Sequence, residues 1–109
     1  MNPLIDQHKM AVRKLCEEYD VQRLDVFGSA TTDSFDPDQS DLDFLVEFKP
    51  GTDLGPWMTR FFTLREALSS LLGRRVDLVF AESLQNRYFA RAVNVSRQPI
   101  YASQDPETA

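Results

Sequence analysis

The chain has 109 residues, 42% hydrophobic and 27% charged, which fits one folded domain with a modest core and excludes a largely disordered protein. Its formal net charge of −5 argues against a general nucleic-acid-binding protein, which normally presents a basic surface to phosphates. The single cysteine excludes an internal disulfide, and the lack of a long apolar run or a secretion signal predicts a cytoplasmic protein without a membrane span.

The first third of the chain predicts a helix, a strand and a loop. Apolar residues recur at helical spacing over residues 5–19, which indicates an amphipathic helix. Residues 24–27 form a short strand-like run that stops at Gly28 and Ser29. Residues 31–40 are rich in Thr, Asp, Ser and Pro, a composition typical of a loop.

A second strand is predicted over residues 41–48, where apolar and other residues alternate. Because side chains alternate between the two faces of a strand, the pattern separates an apolar face from an acidic one. The apolar face carries Leu42, Phe44, Val46 and Phe48, and the other face carries Asp41, Asp43, Leu45 and Glu47. Residues 49–53 then have turn chemistry.

A second helix should follow Gly55 and Pro56 and end at Gly73, since glycine is a common helix terminator. Its predicted buried stripe is Trp57, Phe61, Leu64, Leu68, Leu71 and Leu72, and the adjacent Phe61 and Phe62 cannot both point inward, which leaves one for a partner surface. A third strand over residues 76–80, a third helix over residues 83–96 and a short extended piece over residues 99–101 complete the pattern. The order predicts an α/β (α+β) fold, a small mixed β-sheet with helices packed on it, as one domain over residues 1–102 followed by a polar tail over residues 103–109.

Three carboxylates in this pattern predict a metal site. Asp41 and Asp43 leave the same face of a strand, with α-carbons about 6.6–6.8 Å apart. Asp77 lies on the third strand and faces the same site if the two strands are neighbours in register. Carboxylate oxygens without a nearby His or Cys favour Mg²⁺, or Mn²⁺, over zinc. Gly28 and Ser29 end the first strand, where backbone N–H groups and a hydroxyl suit a triphosphate.

The Gly28-Ser29 pair, the Asp41-Leu42-Asp43 motif after eleven intervening residues and the isolated Asp77 together resemble the minimal nucleotidyltransferases of the DNA polymerase beta-like superfamily. The resemblance implies that Gly28 and Ser29 bind the triphosphate of ATP or another nucleoside triphosphate. It further implies that Asp41, Asp43 and Asp77 are the catalytic carboxylates, that they ligate two Mg²⁺ ions, and that AMP is transferred to a hydroxyl acceptor. Members of this family are often antitoxins paired with a HEPN-domain toxin.

One departure from the family pattern leaves two functions open. Many relatives carry Arg-Gly a few residues after the Gly-Ser pair, where this chain has Thr32 and Asp33. The first function is an active nucleotidyltransferase of a HEPN pair. The alternative is a catalytically weak or silent domain that neutralises its partner by binding. The sequence leaves open whether the domain assembles as a homo-oligomer.

Overall fold

The computed structural model describes residues 3–28, 41–81, 91 and 97–103. Its helices are α1 (Pro3–Gln7), α2 (Lys9–Glu18) and α3 (Thr59–Leu72), the last preceded by a 3-10 turn over Pro56–Met58. Its strands are β1 (Val21–Phe27), β2 (Leu42–Phe48), β3 (Val76–Phe80) and β4 (Gln98–Ala102). The predicted α/β class, a small mixed sheet with helices, is confirmed.

The four strands form one sheet in the order β3-β2-β1-β4. β1 pairs antiparallel with both β2 and β4, whereas β2 and β3 run parallel. A parallel pair needs a crossover connection, and α3 supplies it between these two strands. The antiparallel pairing of the first two strands and the crossover between the second and third therefore both agree with the sequence analysis.

The core lies between the sheet and the helices. Alternate residues of β2 point into it, and Leu42, Phe44 and Val46 are fully buried, as the alternation predicts. The helices contribute Val12 and Cys16 from α2 and Phe61, Leu64, Leu68 and Leu72 from α3. One face of the sheet is thereby covered, and Asp43 and Asp77 lie on the opposite face.

The prediction of one continuous helix over residues 5–19 is wrong, because the helix is interrupted at His8. In an α-helix the His8 N–H would donate to the carbonyl of Leu4. Here the His8 N–H donates to Ile5 O at 3.1 Å, while His8 Nδ1 donates to Leu4 O at 2.9 Å. The side chain therefore replaces the backbone at that carbonyl, and α1 ends before α2 begins.

Trp57 was expected in the buried stripe, and this is wrong, since its side chain is 93% exposed. Trp57 and Met58 have left-handed φ values of 57° and 56°, so the chain turns there and α3 begins only at Thr59. Helical spacing cannot predict the direction of a residue that precedes the helix. Phe61 is buried and Phe62 is 41% exposed, which confirms that only one of the pair points inward.

The end of α3 is as predicted. Gly73 has a φ of 65°, and its N–H donates to Ser69 O at 2.9 Å, which closes the last helical turn. β3 follows with the predicted bounds, and the extended piece near Ile100 forms the edge strand β4.

Several predictions fall on parts of the chain that the structure does not describe. The loop over residues 31–40 and the tail after residue 103 lie outside the described residues, as does the third helix except for Arg91, which is helical. The division at residue 102 therefore stays a prediction. Among the described residues, no helix has both the length and the apolar character needed to cross a membrane.

Candidate active site

Asp43 and Asp77 lie side by side on the sheet. In the parallel β2–β3 pair Asp43 is directly opposite Asp77, and in the antiparallel β1–β2 pair it is opposite Phe27. Residues that are opposite each other on neighbouring strands share a face of the sheet. The condition set by the sequence, that the third strand lies beside the second in register, is therefore met.

The electrostatics of this pair are unfavourable without a cation. The pKa of Asp43 is raised from 3.8 to about 6, first by burial, then by the charge of Asp77 and a hydrogen bond between the two side chains, and finally by the charge of Asp41. Asp77 itself is exposed at the outer strand. A bound cation would relieve the repulsion and favour the ionised form of Asp43.

Gly28, at the end of β1, contacts Asp43 on the side away from Asp77. Its φ of 74° lies in the left-handed region, and a β-carbon at this position would approach Asp43 Oδ2 to 2.7 Å. Only glycine combines that backbone conformation with so close an approach. The predicted phosphate-binding turn is therefore in contact with a predicted metal ligand. Ser29, its predicted partner, lies outside the described residues.

Asp41 lies at the start of β2 and is partly directed toward Arg75. Its Oδ2 is 3.9 Å from Arg75 Nε, and the N–H of Leu42 donates to the Arg75 carbonyl at 3.0 Å. Arg75 and Asp77 line a cavity of about 620 Å³, together with Arg65 and Arg74. The structure thus brings Asp43 and Asp77 together, with Asp41 near enough to raise the pKa of Asp43.

The donor set is that of a hard divalent cation. Three carboxylates supply only oxygen atoms, which suits Mg²⁺ or Mn²⁺. Across the described part of the chain, no group of three His, Cys, Asp or Glu side chains is already arranged to hold a metal ion. Asp43 and Asp77 already lie opposite each other, and the side chain of Asp41 would have to turn from Arg75 to join them around such an ion.

One buried ionic cluster was missed by the sequence analysis. Asp25, in the middle of β1, is 0% exposed and contacts both Arg23 and Arg97. The available signal was an aspartate inside the otherwise apolar run over residues 24–27, since Asp is rarely buried unless it is paired. Its partner Arg97 is 72 positions away, which no local pattern connects to β1.

Known proteins with similar sequences belong to the nucleotidyltransferases. A family model described as the nucleotidyltransferase domain matches residues 8–100. The protein adenylyltransferase MntA of Thermococcus cleftensis is 36% identical over 98 residues, which are 90% of this chain and 88% of that protein.

Two solved structures have the same fold. One, described as an inferred minimal nucleotidyltransferase, has a TM-score of 0.69 and 34% identity, covering 87% of this chain and 91% of its own. The other, from Shewanella oneidensis, is described as a tri-AMPylated HEPN toxin in complex with an MNT antitoxin. It has a TM-score of 0.62 over 94% of this chain and 76% of its own, and at 20% identity it shows the fold alone.

The resemblance stated from the Gly-Ser and Asp-x-Asp motifs is confirmed, and so is the expected enzyme class, a nucleotidyltransferase. The family model covers most of the chain, and a relative 36% identical is matched over nine-tenths of it. The chain therefore belongs to the nucleotidyltransferase domain family.

Proposed function

We propose that the protein is a metal-dependent adenylyltransferase that transfers AMP from ATP to a hydroxyl group of a HEPN-domain partner protein. The observation that carries this proposal is that Asp43 lies directly opposite Asp77 on the neighbouring strand and is in contact with Gly28. The names of the relatives support it, since one is a protein adenylyltransferase and another is an antitoxin bound to an AMPylated HEPN toxin.

The carboxylates of Asp41, Asp43 and Asp77 would hold the divalent ions, two in number and most simply Mg²⁺. When bound, these ions neutralise the charge of the triphosphate and of the leaving pyrophosphate. Asp41 would leave its 3.9 Å contact with Arg75, which costs little because both side chains are substantially exposed. Asp43 is held between Gly28 and Asp77 and would be the most rigid of the three.

The nucleotide would lie over the end of β1. Gly28 has no side chain, so a phosphate can approach its backbone closely, and Ser29 would add a hydroxyl donor. This position places the triphosphate next to Asp43 and leaves the outer side of the site, at Asp77, for the acceptor.

The reaction is a single displacement at the α-phosphorus. The acceptor oxygen forms a bond to this phosphorus, the bond to the β-phosphate bridging oxygen breaks, and pyrophosphate leaves with that electron pair. The hydroxyl proton is accepted by the carboxylate of Asp77, which is exposed and closest to the acceptor side. The catalytic contribution of the protein is positioning and charge neutralisation, as in other phosphoryl-transfer enzymes.

The decisive experiment is transfer of radiolabelled AMP to a co-purified HEPN partner. The wild-type protein with ATP and Mg²⁺ should label the partner, and excess EDTA should prevent labelling. Asp43→Asn and Asp77→Asn should each lower the rate by about 10³-fold or more, because each removes a charge that acts on the transferred group. Glu47→Gln is the matched control, since Glu47 is an exposed carboxylate on the same strand as Asp43.

Labelling that persists in EDTA, or in Asp43→Asn at the wild-type rate, would contradict the proposal. A wild-type protein that suppresses the partner's activity without labelling it would instead establish the binding-module alternative.

A further inference from the structure

Asp41 lies between two groups that could hold its carboxylate, the guanidinium of Arg75 and an ion bound by Asp43 and Asp77. The N–H of Leu42 donates to the Arg75 carbonyl at 3.0 Å. The parallel pairing that puts Asp43 opposite Asp77 therefore continues one step farther and brings Arg75 level with Asp41. Residues two apart on an extended chain share a face of the sheet, so all four side chains lie on one face.

The spacing of these four residues lets the Asp41 side chain turn either way. Neighbouring strands are about 4.8 Å apart, and residues two apart on a parallel strand are about 6.6 Å apart. In the structure Asp41 is directed toward Arg75, with its Oδ2 at 3.9 Å from Arg75 Nε. This orientation agrees with the finding that no three His, Cys, Asp or Glu side chains in the described part of the chain are arranged to hold an ion.

The contact between Asp41 and Arg75 opposes the binding of a free cation in two ways. A divalent ion that recruits Asp41 must first displace Arg75, and it then lies close to the positive charge of Arg75. The Arg75 side chain is 78% exposed and that of Asp41 40%, so the ion pair is weak and an ion can displace it. A complex of ATP with a divalent ion is anionic overall, and a positive charge does not repel it.

We propose that Arg75 is a positioning residue that holds Asp41 away from the metal site until nucleotide is present. The site then binds a free divalent ion weakly and accepts the anionic complex of the ion with the nucleotide. This inference rests on the proposed function, because it takes Asp41, Asp43 and Asp77 as the metal ligands. Arg75 acts through Asp41 and contacts none of the reacting atoms.

Binding of Mn²⁺ alone to the full-length protein, measured by isothermal titration calorimetry, tests this role without any turnover. Arg75→Gln should lower the Kd for Mn²⁺ at least threefold, because Asp41 loses the partner that competes with the ion. The same variant should leave the Kd for ATP, measured at saturating Mg²⁺, within twofold of wild type or raise it. Circular dichroism checks that the variant is folded, as expected for an exposed side chain.

Arg65→Gln is the matched control. Arg65 lines the same cavity as Arg75, and its described carboxylate partner is Glu66, at 3.1 Å. The substitution therefore removes the same charge and an exposed ion pair while the contact between Arg75 and Asp41 stays in place. It should leave the Kd for Mn²⁺ within 1.5-fold of wild type.

Three results would overturn the inference. The first is a Kd for Mn²⁺ that is unchanged, raised or too weak to measure in Arg75→Gln. The second is equal tightening in Arg65→Gln, which would show that net charge alone acts on the ion. The third is tightening of ATP binding in Arg75→Gln by the same factor as Mn²⁺ binding. A wild-type protein that binds Mn²⁺ neither alone nor with ATP would instead overturn the proposed function, so the two failures are distinguishable.

Discussion

A β-carbon on Gly28 would lie 2.7 Å from Oδ2 of Asp43, so the turn after β1 and the inner carboxylate of β2 are already in contact. A β-carbon at that distance would force the Asp43 carboxylate to move. The glycine of the Gly-Ser pair therefore lets a carboxylate on another strand keep its position, in addition to any role toward phosphate.

Gly28→Ala should abolish nucleotidyl transfer, with a loss of about 10²-fold or more, because the new methyl group displaces Asp43. The left-handed φ of 74° adds about 1 kcal/mol of destabilisation. Rates of AMP transfer and urea unfolding together separate these two effects.

Gly73→Ala is the control for the backbone effect. Gly73 has a similar φ of 65°, and nothing lies within 4 Å of its β-carbon position. This variant should lose about 1 kcal/mol of stability and keep its transfer rate within about twofold. Equal loss of activity in the two variants would show that contact with Asp43 is not the cause.

The pKa of Asp43 predicts how stability depends on pH. The pKa rises from 3.8 to about 6 on folding, so the contribution of this group to stability is fully present below pH 3.8 and is lost as the pH rises through 6. At pH 7.5 in EDTA, Asp43→Asn should therefore be more stable than wild type by about 1–2 kcal/mol, after allowance for solvent screening of a half-buried group. Thermal unfolding measures the difference.

Added Mg²⁺ should reverse this difference in stability between Asp43→Asn and the wild-type protein. It should raise the Tm of the wild-type protein at pH 7.5, because binding to the ionised carboxylates stabilises the folded state, and raise that of Asp43→Asn much less. A wild-type Tm insensitive to Mg²⁺ at millimolar concentration would contradict the metal site.

The packing of α3 predicts a contrast between two apolar residues. Leu64→Ala should lower the free energy of unfolding by about 2–4 kcal/mol, since Leu64 is fully buried beneath the sheet. Trp57→Ala should change it by less than about 0.5 kcal/mol, because Trp57 is 93% exposed. Urea titration followed by circular dichroism checks both, and a large loss in the tryptophan variant would refute the exposed position.

Cys16 should be unreactive in the folded protein. It is fully buried on α2, and burial, with a smaller effect from the charge of Glu17, raises the pKa of its thiol from 9.0 to about 12. Iodoacetamide at pH 8 should therefore modify it only after denaturation, as followed by intact-protein mass spectrometry. Rapid alkylation under native conditions would show that α2 does not cover the thiol.

Local alternation was sufficient to predict β2 and β3, because a period of two decides which side chains share a face. It put Asp43 and Asp77 on one face only on the condition that the two strands are neighbours in register, and the β2–β3 pairing meets that condition. Helical spacing, by contrast, failed at Trp57, where two left-handed residues turn the chain before the helix begins. These backbone conformations leave no mark on the spacing of apolar residues.

The interaction of Asp25 with Arg97 illustrates a second limit. It joins residues 72 positions apart, and only the pairing of β1 with β4 brings them together. The break at His8 is a third case, since a side-chain hydrogen bond to Leu4 replaced the backbone one. Sequence patterns predicted the elements, but long-range pairing and competition for single carbonyl groups required coordinates.

β3 is an outer strand of the described sheet, and the exposed Asp77 lies on it, whereas Gly28 lies toward the interior at the end of β1. In the proposed reaction, an acceptor that approaches from this sheet edge would reach Asp77 without crossing the nucleotide. Both substrates would occupy the protein together, so the proposed transfer should follow sequential kinetics through a ternary complex. AMP would pass directly to the acceptor with inversion at phosphorus, and no covalent nucleotidyl-enzyme would form.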